Sequence, residues 1–225
     1  MIRPNGAAAC SQRFVRERDK MVEQQLVARG VSDPRVIEAM RRVPRHLFVD
    51  EALRDRAYGD HPLPIGEGQT ISQPFIVGRM TELLHLGGRE KVLEIGTGCG
   101  YQAAVLAELA ERVCTVERIV RLAIRARQTL DGLGYSNVWA RTANGTFGWP
   151  DEAPFDRVLV AAAAPSVPAP LFEQLTEGGR MVMPIGDAES QRLQIIEKSR
   201  GEMRVTTDPG SCVFVKLIGK YAWDR

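Results

Sequence analysis

The chain has 225 residues, of which 44% are hydrophobic, and its 30 Lys and Arg against 28 Asp and Glu give a net charge of +2. This length suffices for a large buried core, and the near-neutral charge excludes the basic surface of a dedicated nucleic-acid-binding protein. No apolar run reaches the roughly eighteen residues of a membrane-spanning helix. The four cysteines form no CxxC pair or metal-ligand spacing. We therefore expect one cytoplasmic domain over residues 1–225, without a metal site or membrane contact.

The first forty residues predict two helices. Apolar residues recur every three to four positions over residues 11–28, and Gly30 follows as a stop. Asp33 before a proline fits the N-cap of a second helix over residues 34–42. These helices belong to an N-terminal extension, residues 1–75, that precedes an α/β core over residues 76–225.

Residues 58–74 are dense in glycine and proline and show neither helix nor strand periodicity. Such a segment is either an ordered extended loop or a disordered one. Its apolar residues favour order, and long ordered loops usually serve function. We therefore interpret residues 62–74 as a lid over a site.

From residue 75 onward, helix and strand patterns alternate, which predicts a doubly wound, Rossmann-like parallel sheet. A final pair of strands without a helix between them predicts an antiparallel addition at one edge. The predicted helices cover residues 75–84, 101–109, 119–130 and 168–175. The predicted strands cover residues 91–95, 112–117, 137–141, 155–161, 179–185, 192–197 and 211–217.

A glycine-rich turn follows the first strand of this alternation and opens a helix. Gly96, Gly98 and Gly100 permit a tight turn and a close approach of the backbone to a ligand. Glu94 lies two residues before the first glycine, where its carboxylate would repel a pyrophosphate and attract a ligand with an ammonium and a sulfonium. A second acid, Glu117, ends the next strand, where Rossmann-type folds bind ribose hydroxyls. Together these features predict a binding site for S-adenosyl-L-methionine (SAM), and hence the methyltransferase form of this fold.

Two longer blocks resemble a known family. Residues 92–107 read Val-Leu-Glu-Ile-Gly-Thr-Gly-Cys-Gly-Tyr-Gln-Ala-Ala-Val-Leu-Ala, and residues 63–77 read Leu-Pro-Ile-Gly-Glu-Gly-Gln-Thr-Ile-Ser-Gln-Pro-Phe-Ile-Val. Together they resemble the protein-L-isoaspartate O-methyltransferases, and the similarity extends from about residue 19 to residue 223. The first block indicates a SAM methyltransferase, and the second narrows the family.

The resemblance implies the roles of particular residues. Ser72 would be the active-site residue, in a loop that holds the isoaspartyl carboxylate. The methionine part of SAM would lie against Glu94 and the turn, its ribose on Glu117 and its adenine near Asn144. The implied cofactor contacts are Glu94, Gly96, Thr97, Gly98, Gly100, Glu117, Asn144 and Gly145, and the implied substrate contacts are Gln69, Thr70, Ile71, Ser72 and Gln73.

Four positions depart from the usual family pattern. Asn144 stands where an Asp usually contacts the adenine amino group; its carbonyl can still accept one hydrogen bond, but it carries no charge, so weaker cofactor binding is expected. Cys99 replaces a frequent Ser, and near a helix N-terminus its pKa could fall. Ala161 replaces a frequent Thr, and Lys216 a frequent Pro.

The resemblance implies esterification of the free carboxylate of L-isoaspartyl residues in damaged peptides and proteins, which initiates their repair and yields S-adenosyl-L-homocysteine. The carboxylate is ionised at pH 7, so no general base is required, and Ser72 is interpreted as orienting it rather than as a nucleophile. Alternatively, Ser72 only N-caps the following helix. Peptide substrates could also pair with residues 212–215 as an added strand.

Two other functions stay open from the sequence. One is a SAM methyltransferase of the same fold that acts on RNA or a small metabolite. The other is a module that binds SAM or damaged protein without turnover. The oligomeric state is open, with a monomer favoured.

Overall fold

The structure, a computed structural model, describes the backbone of residues 5–224 and the side chains of residues 12–224. The side chain of Cys10 lies outside the described residues. The helices are α1 (Asn5–Met21), α2 (Pro34–Arg42), α3 (Pro74–Leu83), α4 (Tyr101–Ala107), α5 (Val120–Gly132) and α6 (Ala169–Glu173). The strands are β1 (Leu63–Gly66), β2 (Gln69–Ile71), β3 (Lys91–Ile95), β4 (Arg112–Glu117), β5 (Val138–Thr142), β6 (Phe155–Val160), β7 (Leu175–Gly186), β8 (Gln191–Ser199) and β9 (Glu202–Cys212).

The central sheet has seven strands in the order β5-β4-β3-β6-β7-β8-β9. Strands β3 to β7 run parallel, whereas β8 and β9 are antiparallel additions at one edge. The predicted doubly wound sheet with an antiparallel edge is thus confirmed. Strands β4 and β5 follow on one side of β3, and β6 then pairs with β3 on its other side. This reversal is the switch point at which open α/β sheets bind ligands, beyond the carboxyl ends of the strands.

The two predicted N-terminal helices are present. The helical run continues beyond α1 through a π-helical turn (Val22–Leu26) and a 3₁₀ turn (Val27–Arg29), and it ends at Gly30 with φ of 92°. Asp33 caps α2 by accepting a hydrogen bond from Arg35 N. Their buried residues belong to the same hydrophobic core as those of α3 and α4.

The segment expected to be an ordered loop, residues 58–74, contains a β-hairpin over residues 63–71. Strands β1 and β2 pair antiparallel, and Leu63, Ile65 and Ile71 are buried beneath them. The turn between the strands places Glu67 and Gly68 at positive φ, 53° and 68°. Sequence reading missed the strand pattern because glycines and prolines break its short alternation.

The predicted last strand over residues 211–217 is wrong. The last strand is β9, most of whose residues are exposed and therefore lack the alternating apolar pattern from which a strand is recognised. After β9 the chain crosses back over the sheet, where Leu217 N donates to Ala163 O at 2.7 Å. This crossing brings residues 214–218 to the carboxyl end of β6.

Candidate active site

A pocket lies at the carboxyl ends of β3 and β4 and encloses about 880 Å³, part of it open to solvent. Three segments surround it: the β1–β2 hairpin, the glycine turn and the crossing segment after β9. The residues of these segments that line it are Gln69, Thr70, Ile71, Ser72, Gly96, Thr97, Gly98, Cys99, Phe214, Val215, Lys216, Leu217 and Ile218. Tertiary folding therefore brings the implied substrate loop and the implied cofactor turn to one cavity.

The glycines of the turn have different tasks. Gly96 and Gly98 line the pocket and adopt positive φ, 93° and 56°, which L side chains rarely tolerate. Gly100 lies outside the lining and also has positive φ, 91°, and a Cβ there would come within 3.2 Å of the Leu130 side chain. Gly100 therefore allows both the turn and the close packing of α4 against α5.

Glu117 is held rigidly at the end of β4. Its carboxylate accepts hydrogen bonds from Gly98 N and Ile119 N, both at 2.9 Å. The side chain is buried and lines the pocket. Because both oxygens keep free lone pairs, the carboxylate can also accept hydrogen bonds from two ligand hydroxyls.

Glu94 lies beneath the turn instead of lining the pocket. Its side chain is 0% exposed, and Oε2 accepts a hydrogen bond from Thr115 Oγ1 at 2.6 Å. Thr115 in turn contacts Thr97 Oγ1 at 2.5 Å, which links the acid to the turn. Burial, aided by the charge of Glu117, raises the pKa of Glu94 to about 8.

The carboxyl groups around the glycine turn fit SAM. Glu94 Oε1 is buried and has no hydrogen-bond partner among the described residues, and Glu117 adds a second carboxyl on the same side of the turn. The Glu117 carboxyl and the unmatched oxygen of Glu94 can accept hydrogen bonds from the ammonium of a cationic ligand, and the charge of such a ligand favours ionisation of Glu94. The turn would hold the amino acid part of SAM, and Glu117 its ribose.

Asn144 does not line this pocket. Its Oδ1 accepts hydrogen bonds from Thr146 N at 3.0 Å and from Thr146 Oγ1 at 2.9 Å, so it caps the short 3₁₀ helix Gly145–Phe147. Gly145 does line the pocket. Asn144 thus shapes the loop that presents Gly145, and its carbonyl is already engaged.

The hairpin side of the pocket presents Ser72 but not Gln73. Gln73 is the N-cap of α3 without a capping side-chain bond, and its Nε2 donates to Asp60 Oδ1 at 2.7 Å. The alternative that Ser72 N-caps this helix is therefore wrong. The Ser72 hydroxyl makes no hydrogen bond to any residue within 12–224, which leaves it available to a ligand.

Sequence reasoning missed Arg45. It is 0% exposed, and its guanidinium donates to Ser72 O and Ala57 O, both at 2.7 Å. It also lies 4.8 Å from the ring centroid of Tyr101, a pocket residue. Burial lowers the pKa of Arg45. Arg45 therefore holds the backbone of Ser72 in place. The one feature of the sequence that indicates its burial is its position near apolar residues, in Val43-Pro44-Arg45-His46-Leu47-Phe48.

The expected activation of Cys99 is not found. Burial raises the pKa of its thiol to about 11, because desolvation disfavours the thiolate more than the helix N-terminus stabilises it. Within residues 12–224 no group of three or more His, Cys, Asp or Glu side chains could hold a metal ion. None of the helices described is long and apolar enough to cross a membrane.

Comparisons with known proteins agree with this geometry. The family model for protein-L-isoaspartate(D-aspartate) O-methyltransferase matches residues 16–222. A protein-L-isoaspartate O-methyltransferase of Syntrophobacter fumaroxidans is 60% identical over 94% of this chain and 98% of its own length. One of Geobacter metallireducens is 58% identical over 92% of this chain and 95% of its own length.

Solved structures show the same similarity. A protein-L-isoaspartate O-methyltransferase structure covers 91% of this chain and 67% of its own, with a TM-score of 0.82 and 28% identity. A Plasmodium falciparum protein described with the same name, in complex with S-adenosyl-L-homocysteine, covers 89% of this chain and 98% of its own. Its TM-score is 0.75 and its identity 25%.

Proposed function

The chain belongs to the protein-L-isoaspartate(D-aspartate) O-methyltransferase family, and from this premise we propose its reaction. It is a SAM-dependent methyltransferase that esterifies the free carboxylate of L-isoaspartyl residues in damaged peptides and proteins, the first step of their repair. The observation that carries the proposal is 60% identity over 94% of the chain to a relative of that name. The joining of hairpin and glycine turn in one pocket supports it.

The reaction makes few demands on acid or base groups. SAM, when bound, supplies a methyl group on a sulfonium whose leaving group is the neutral thioether S-adenosyl-L-homocysteine. The substrate carboxylate has a pKa of about 4 in model peptides and is therefore already a nucleophile at pH 7. Two opposite charges disappear during the transfer, so orientation and exclusion of water are the main contributions of the protein.

The chain's own residues meet these two demands. Glu94, Glu117 and the glycine turn hold and orient the cofactor, and the hairpin from Gln69 to Ser72 covers the opposite side of the pocket. The Ser72 hydroxyl donates a hydrogen bond to the substrate carboxylate and directs one of its oxygens at the methyl group. Arg45 keeps the Ser72 backbone in place through its carbonyl.

The test is transfer of labelled methyl from SAM to a synthetic peptide with one isoaspartate, compared with its normal aspartate twin. We expect base-labile label on the isoaspartyl peptide alone. Label on RNA or on a small metabolite, with neither peptide labelled, would establish the same-fold alternative. SAM binding without transfer to any of these substrates would identify a binding module.

The partners and compartment belong to the same proposal. We take isoaspartyl peptides and proteins as the partners of a monomer in the cytoplasm, without nucleic acid or membrane. The free thiols of Cys99, Cys114 and Cys212 support a reducing compartment.

A further inference from the structure

Charged side chains are few in the lining of the pocket, namely Glu117, Arg118 and Lys216. Glu117 is buried and hydrogen-bonded to the turn. Arg118 and Lys216 are exposed, and neither forms an ion pair with a carboxylate of residues 12–224. Two unpaired cations thus stand at the mouth of a pocket that receives an anionic substrate.

Lys216 lies in the crossing segment after β9. It forms a parallel bridge with Ala163, just beyond the carboxyl end of β6, whereas Glu117 and Arg118 lie at the end of β4. No ion pair joins the Lys216 ammonium to the Glu117 carboxyl, which accepts hydrogen bonds from the backbone N–H groups of Gly98 and Ile119 instead.

The Lys216 ammonium is held near the pocket and not buried. Its Nζ lies 5.4 Å from the ring centroid of Trp223. A cation–π contact at an exposed site is weak. The ammonium can therefore reorient toward a carboxylate that arrives at the mouth.

A peptide substrate must pass this position. The pocket is shared between the cofactor around Glu117 and the isoaspartyl group below the hairpin, so the flanking residues of a peptide extend across the mouth. We propose that Lys216 is a specificity-determining residue that binds the side-chain carboxylate of a residue next to the isoaspartate. The enzyme accordingly prefers damage sites flanked by Asp or Glu; this inference rests on the proposed function.

The experiment compares isoaspartyl peptides that differ only in one flanking residue, Glu, Gln or Lys, placed before or after the isoaspartate. Exposed ion pairs contribute about 0.2–1 kcal/mol. For at least one of the two placements, the wild-type kcat/KM for the Glu peptide should therefore exceed that for the Gln peptide about 1.4–5-fold. This ratio should fall toward one as salt rises, because exposed ion pairs are screened.

Substitutions of Lys216 test whether its side chain causes the preference for the Glu peptide. Lys216→Met should bring the Glu/Gln ratio to about one, and Lys216→Glu should make the Lys peptide the best of the three. Lys220→Met is the matched control: Lys220 is also exposed and lies 5.4 Å from the ring of Tyr221, but it is outside the pocket lining. Its Glu/Gln ratio should equal that of the wild type.

Two results would overturn the inference while the proposed function stands: equal kcat/KM for all three wild-type peptides, or a Glu preference that survives Lys216→Met. If the Gln peptide itself is not methylated, the proposed function fails, and the inference fails with it. A ratio within one variant is independent of how much of that variant is folded.

Discussion

Two carboxyl side chains close to the glycine turn have different surroundings. Glu117 lines the pocket and accepts hydrogen bonds from the backbone N–H groups of Gly98 and Ile119. Glu94 is completely buried, and among the described residues it accepts only from the Thr115 hydroxyl. This bond does not offset the burial, which raises the pKa of Glu94 to about 8, so Glu94 holds its proton at neutral pH until a cationic ligand arrives.

The raised pKa of Glu94 predicts how stability depends on pH. Between pH 4.5, its ordinary pKa, and about pH 8, the unfolded chain ionises this group and the folded chain does not. The free energy of unfolding therefore falls as pH rises through this range. Glu94→Gln removes this ionisation. The Tm of the variant minus that of the wild type should therefore increase between pH 5 and pH 8, by about 2–4 °C for each kcal/mol that the wild type loses over this range. Calorimetry at both pH values measures this, and a pH-independent difference in Tm would contradict it.

Ser72 supplies a second prediction for a single residue. Loss of a hydrogen bond to a charged group costs about 1.5–3 kcal/mol, so Ser72→Ala should lower kcat/KM for an isoaspartyl peptide about 10–100-fold with unchanged Tm. The control is Ser136→Ala, an exposed serine that precedes the amino end of β5 and lies outside the pocket lining. Isolation of wild-type enzyme that carries the methyl group on Ser72 would show that Ser72 is a nucleophile and not an orienting group.

At the scale of elements, two arginines of α5 contact the hairpin, and they should restrain it to different extents. Arg125 donates to the backbone carbonyl of Ile65, whereas exposed Arg121 lies 3.5 Å from the Glu67 carboxylate. Ile65 also covers the turn, since its Cδ1 lies 3.3 Å from where a Cβ of Gly98 would stand. The partly buried bond should therefore restrain the hairpin more than the exposed ion pair.

Arg125→Met should loosen the hairpin. We expect faster amide hydrogen exchange in residues 63–71 and a higher KM for the peptide, because a mobile hairpin must be ordered on binding. Arg121→Met is the matched control and should change exchange little. Equal exchange in the two variants would mean that packing alone holds the hairpin.

At the scale of the whole molecule, the N-terminal extension and the α/β core share one hydrophobic cluster. That cluster contains Phe14 and Met40 from the extension together with Val92, Leu159 and Ile195 from the sheet. Arg79 in α3 also pairs with Asp208 in β9, which links α3 to the last strand of the sheet.

A shared core predicts a single cooperative unit. Denaturant unfolding followed by tryptophan fluorescence and by far-ultraviolet circular dichroism should give coincident transitions. An earlier loss of helical signal, with the fluorescence transition unchanged, would show that residues 1–75 unfold as a separate unit.

Local patterns in the sequence determined the sheet and the turn. The apolar runs of β3 and β4, the glycines between them and the cap at Asp33 depend on near neighbours, and these features were predicted correctly. The exposed strand β9 and the glycine-interrupted hairpin were not, because strand pairing depends on residues distant in the chain and their local patterns are weak.

Only the tertiary structure decided which side chains meet at the site. Asn144 caps its own loop, Gln73 turns to Asp60, and Glu94 is desolvated beneath the turn. Arg45 joins the hairpin from a helical segment 27 residues away. Composition and spacing indicate that such residues are present, but burial and hydrogen-bond partners arise when distant segments pack, and these set their orientation and charge.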